Sequence, residues 1–145
     1  MLGKQLFSLF ITAALLCAFS GCSNSADTVR ASGGNNAKRH LLIAGYATDI
    51  DLTCDELFRM PEDPENRMAV SVHYYAPAGF AILEEDADWG KARPQWGSPR
   101  EQRELACNLD KMTKVFSAKG IPVIIGEYGC PKKNKEEDSV RLYLS

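Results

Sequence analysis

An α/β fold with a parallel sheet is the class this sequence predicts, and three observations predict it. Residues 68–75 (MAVSVHYY) and 121–129 (IPVIIGEYG) contain short, apolar, β-branched runs of the kind that form strands. Between them lies one amphipathic helix with clear start and stop signals. The second run is apolar enough for burial on both faces, which is the signature of parallel rather than antiparallel pairing.

The chain has 145 residues, of which 45% are apolar and 25% charged, an ordinary globular balance. Its net charge of −2 and its scattered basic residues exclude a nucleic-acid footprint, since the pair Lys132 and Lys133 is too short to make one. No internal repeat or low-complexity tract is present.

The first element is a leader. Lys4 supplies the positive end, and residues 6–19 (LFSLFITAALLCAF) form an apolar run shorter than a membrane-spanning helix needs. The run ends in Phe19-Ser20-Gly21-Cys22, which resembles the bacterial lipobox. Residues 1–21 are therefore expected to be a lipoprotein-type signal peptide, with Cys22 lipidated and the product exported to the cell envelope. Phe19 departs from the Leu usual in that motif, so a plain secretory leader cut nearby and an uncleaved anchor stay open as alternatives. Of the other cysteines, Cys54, Cys107 and Cys130 are three in number and widely spaced, which matches no zinc pattern. A bridge between Cys54 and Cys130 is conceivable, and Cys107 reads as a small buried hydrophobe within a helix.

Residues 22–38 read as a linker with the last turn of a helix, stopped at Gly33-Gly34. A domain from residue 39 to 145 follows. Residues 40–44 (HLLIA) predict a buried strand ended by Gly45, and residues 53–60 a short helix stopped by Pro61 and Pro64. In residues 68–75, strand period places Ser71, His73 and Tyr75 on one face and Val70, Val72 and Tyr74 on the other. The apolar face is expected to meet helices, leaving the polar face for a site. A lone strand histidine is more often a satisfied core residue, but Tyr75 on the same face favours a site.

The loop 76–97 is long for a compact domain and carries Trp89 and Trp96. An exposed Trp offers a flat apolar ring to a sugar; a buried one pins the loop to the body. Both readings stay open for each residue. Ser98, Pro99 and Glu101 then spell a capping box, with Leu105, Leu109, Met112 and Phe116 as one apolar stripe and Gly120 as the stop. Residues 121–127 form the next strand, and a final helix begins near Asn134. Glu127 at the end of its strand is either a solvated strand-end charge or a carboxylate placed where α/β barrels put their chemistry.

Three segments taken together, GYATDIDLTC (45–54), SVHYYAP (71–77) and IIGEYG (124–129), resemble the later part of a glycoside hydrolase family 5 cellulase domain. The resemblance implies a fragment of a (β/α)8 TIM barrel, about strands 5 to 7 with their helices, and hydrolysis of β-glucan or another polysaccharide with retention of configuration. It implies Glu127 as nucleophile, Tyr75 as the hydroxyl that orients it, His73 as a substrate contact and no metal or organic cofactor. The departure is the acid/base Glu, which the family carries in an Asn-Glu motif; no Asn-Glu pair occurs in this sequence. Without its leader the chain is about half of a typical ~250-residue barrel. A catalytically incomplete form is therefore expected, with Glu84, Glu85 and Asp86 as the nearest substitutes for the acid. Open sheet edges would favour self-association. A non-catalytic sugar-binding lipoprotein, or a remnant needing a partner, is the alternative.

Overall fold

The computed structural model describes residues 21–145, and the proposed leader lies almost wholly outside them. Two compact units are present among the described residues: one contains residues 21–41 with Arg59–Arg67, the other Leu42–Phe58 with Met68–Ser145. In the first, helix α1 (Gly21–Ala31) includes Cys22 and extends the expected last turn upstream. It stops at Gly33 and Gly34, both at positive φ (91° and 58°), where glycine carries no Cβ penalty. A 3-10 turn, Gly34–Lys38, follows, and the Arg30 guanidinium donates to the carbonyls of Asn36 and Arg39.

The second unit holds the sheet and the site. Its strands β1 (Leu41–Ala44), β2 (Met68–Tyr74) and β3 (Val123–Tyr128) form a parallel sheet with β2 in the centre. β2 alternates between buried and half-buried residues, with Val70, Val72 and Tyr74 on the covered face, as its period requires. The helical elements in order are α2 (Ile50–Thr53), α3 (Ala78–Ala81), α4 (Pro99–Val115) and α5 (Glu137–Tyr143). This strand and helix order is that of a stretch of a (β/α)8 barrel.

The helix α4 begins as its sequence dictates. Ser98 Oγ accepts from the Glu101 amide and the Glu101 carboxylate accepts from the Ser98 amide, closing the box. Only half of its stripe is buried: Met112 and Phe116 lie in the core, with Phe58 edge-on to Phe116, while Leu109 is substantially exposed. A 3-10 turn, Ser117–Lys119, separates α4 from Gly120, whose φ of 80° completes the stop.

Several expectations need correction. β1 is not buried: Leu42 is 58% exposed on an uncovered face. β3 is exposed along most of its length, Ile124 and Tyr128 included. The short helix expected at 53–60 falls at 50–53, because Asp49 accepts from the Leu52 amide and starts it earlier. Cys107 is exposed on α4, and Cys54, Cys107 and Cys130 are free thiols, so the bridge is not formed. The last helix is capped at Glu136 rather than Asn134, which instead takes a positive φ of 59°. Among the described residues no helix is long and apolar enough to cross a membrane.

Candidate active site

Glu127 and the polar face of β2 meet at the C-terminal end of the sheet. Tyr75 donates its hydroxyl to Glu127 Oε2 at 3.2 Å, and His73 Nδ1 lies 3.1 Å from the same oxygen. The Glu127 side chain remains 57% exposed, so the cluster is open to solvent. Desolvation and the neighbouring carboxylate push the Tyr75 phenol above its ordinary range, which keeps it a donor at neutral pH. The arrangement holds one carboxylate oxygen from two sides and leaves the other available.

Beside this cluster is a cavity of about 350 Å³ that shares His73 and Tyr75 with it and is walled opposite by Thr48, Asp49 and Asp51. The wall is a tight turn after β1. Ala47 and Thr48 both take left-handed φ values, 54° and 55°, which a β-branched residue such as Thr48 adopts only under local constraint. The constraint is visible on either side. Asp49 caps α2, and Gly45 sits so close to the buried Thr53 that a Cβ there would come within 2.3 Å of Thr53 Oγ1. Asp51 is paired with Lys111 from α4. Sequence reading passed over Thr48 and Asp49, since the turn carries no glycine where the positive φ values fall.

The loop 76–97 is ordered by contacts from the end of the chain. The Lys135 ammonium donates to the carbonyls of Gly79, Leu83 and Arg93 at 3.1, 2.5 and 2.8 Å and lies over the Phe80 ring. Nothing in the sequence marked Lys135. Of the two readings left open for Trp96, its burial fits the pin: the residue is 7% exposed, with its ring edge-on to Tyr143 at 5.1 Å. Its backbone amide and carbonyl both bond Ser139 Oγ, so this residue pins the loop. Trp89, by contrast, is 64% exposed at the tip of a tight turn closed by paired bonds between Ala87 and Gly90.

Each of the loop carboxylates has a lysine partner. Lys133 binds Glu85 and Glu84, and the Lys91 ammonium and the Ala92 amide bind Asp86. Their hydrogen bonds hold Glu85 and Asp86 below the usual carboxylate range. Among the described residues no group of His, Cys, Asp and Glu is arranged to hold a metal ion.

The family model described as cellulase (glycosyl hydrolase family 5) matches residues 20–144. Endoglucanase 1 of Ruminococcus albus is 37% identical over 115 residues, which is 79% of this chain and 26% of that enzyme. A GH5-4 broad specificity endoglucanase from an uncultured bovine rumen ciliate superposes with a TM-score of 0.74 at 37% identity, over 82% of this chain and 37% of that one. A glycoside hydrolase 5 lichenase from Caldicellulosiruptor sp. F32, solved in complex with cellotetraose, gives 0.70 at 35% identity, over 79% and 32%. The chain thus spans about a quarter of the curated endoglucanase it matches and about a third of the solved ones.

Proposed function

The chain belongs to glycosyl hydrolase family 5, and from that membership we propose that it carries the nucleophile side of a retaining β-glucan hydrolase, with Glu127 as the attacking carboxylate. The observation that carries this is the double contact of Tyr75 and His73 to Glu127 Oε2. Retaining hydrolysis requires one ionised carboxylate aimed at the anomeric carbon and a second carboxyl group about 5–5.5 Å away to protonate the leaving oxygen. Tyr75 donates to Glu127 Oε2 and fixes its rotation, which leaves Oε1 to form the glycosyl bond. A proton on His73 Nδ1 points at Glu127, so contact with sugar hydroxyls falls to Nε2. Trp89 supplies a ring for stacking a sugar face. No metal or organic cofactor enters this chemistry.

The same reading makes this chain catalytically incomplete. It has no Asn-Glu pair, and the loop carboxylates Glu84, Glu85 and Asp86 are engaged by lysines. General acid catalysis typically contributes ~10²–10⁴-fold, so its lack alone takes turnover far below the rates of complete enzymes. The test compares reducing-sugar release from a cellulosic substrate by the full chain and by Glu127→Gln, alongside cellotetraose binding. Binding by both without Glu127-dependent turnover is expected; robust turnover lost in the variant would overturn incompleteness. Sugar binding without chemistry is the second reading, favoured by the exposed Trp89.

Cys22 after Ser20-Gly21 supports lipidation and an exported, membrane-anchored product, and Cys22→Ala should abolish incorporation of labelled fatty acid. The exposed edges β1 and β3 support self-association, which sedimentation at rising concentration would read as increasing mass.

A further inference from the structure

Residues paired side by side in a parallel sheet point to the same face. From Val70 to Val72, β2 pairs in step with residues 123–125 of β3. Continued in step, Gly126 would stand beside His73 and Glu127 beside Tyr74. Tyr74 is on the covered face, buried, with its ring stacked on Tyr143. A carboxylate there would be turned away from Tyr75 and His73, to the face that Tyr128 occupies. The register instead slips between Val72 and His73, so that Glu127 pairs with His73 and Tyr128 with Tyr74. Gly126 is the extra residue. A one-residue slip exchanges the two faces of a strand, and such bulges re-aim side chains.

We propose that Gly126 is the positioning residue of this site: by carrying the bulge without a side chain it delivers Glu127 to the face of His73 and Tyr75. Its requirement is space rather than an unusual backbone angle. A Cβ at 126 would lie 3.1 Å from Ser71 Oγ and 3.6 Å from both Cδ2 and Nε2 of the His73 ring. The approach to Ser71 Oγ is the tight one, so a Cβ there makes β2 or β3 give way, and a longer side chain also meets the imidazole; either shift loosens the contacts to Glu127. The functional consequence rests on the nucleophile reading of Glu127; the positional claim does not.

The test is the titration of the Tyr75 phenol in the full chain, followed by 13C-tyrosine NMR with Tyr75→Phe for assignment. The Glu127 carboxylate raises that midpoint, so Glu127→Gln marks the value without it. Gly126→Ala should fall to the Glu127→Gln midpoint, and adding Ser71→Gly should restore at least half of the difference by returning the space. A Gly126→Ala midpoint equal to that of the parent would overturn the proposal. Should that variant not fold, cross-strand NOEs in the parent chain decide alone. Contacts pairing Glu127 with His73 support the bulge, and contacts pairing it with Tyr74 sink it. Neither readout depends on turnover or sugar binding, so a failure of the glucanase reading would be seen separately.

Discussion

Trp89 and Trp96 occupy one loop and have opposite fates. Trp96 is packed against Tyr143 and bonded through both backbone groups to Ser139, whereas Trp89 projects into solvent from a two-residue turn. The base of the loop is held by residues 135–143, far away in sequence, through Lys135, Glu136, Ser139 and Tyr143. The tip is closed by its own Ala87–Gly90 and Asp86 bonds. Residue type therefore says little about a loop aromatic; what reaches it from elsewhere in the chain decides. The division also suits a binding device, since a rigid base lets an exposed ring meet a ligand without losing much order on binding.

The base should be the costly place to cut. Trp96→Ala is expected to lose ~3–5 kcal/mol of unfolding free energy in urea, as removal of a buried aromatic does. A loss below about 1 kcal/mol would place Trp96 with Trp89 and erase the contrast. Lys135→Met comes next at ~1–3 kcal/mol, because three carbonyls lose their donor. It should also make Trp89 more accessible to acrylamide if the tip depends on the base for its position.

Glu101 sharpens the comparison through pH. Burial raises its pKa, but the Ser98 hydroxyl and amide, Arg93 and the Gly97 amide outweigh that and hold the carboxyl below its ordinary 4.5. A depressed carboxylate contributes stability that is complete above the unfolded value and disappears as pH falls through the folded one. Urea midpoints of the parent should therefore decline below about pH 4.5, and Glu101→Gln should flatten that acid limb. Ser98→Ala, which removes the other half of the cap, should cost ~1 kcal/mol at neutral pH. Trp89→Ala is the smallest effect on stability, within about 0.5 kcal/mol. Its effect should appear in cellotetraose binding instead, where aromatic stacking platforms contribute ~1–3 kcal/mol per ring. A binding change below about 0.3 kcal/mol would remove the platform role.

Much of the fold was legible because its signals are local. The capping box of Ser98 and Glu101 and the alternation of Val70, Val72 and Tyr74 read directly onto α4 and β2. The face shared by His73 and Tyr75 was legible for the same reason. Glu127 was legible as a strand-end carboxylate, but its facing depends on a register slip that periodicity alone misassigns; the isolated Gly126 within an apolar run was the available sign. The apolar character of β3 suggested burial on both faces, yet its outer edge is bare among the described residues, since composition reports suitability for burial rather than the presence of a cover. Thr48 and Asp49 were missed because a strained turn without glycine has no compositional mark. Lys135 was missed, and the choice between the two readings of Trp96 was left open, because their partners lie some 40 residues or more away along the chain.

Lys135 has a consequence that reaches beyond stability. Three carbonyl oxygens and an aromatic face around one positive centre are the coordination sphere of a monovalent ion, supplied here by a covalently attached ammonium. A tethered ion cannot be diluted out, chelated or exchanged. The loop's shape should accordingly be indifferent to whether the medium contains sodium, potassium or a chelator, and tryptophan emission across those conditions should be unchanged. Where a loop ordered by bound calcium must track the ionic composition around it, this one has its counter-charge written into the chain and keeps the same form in any of them.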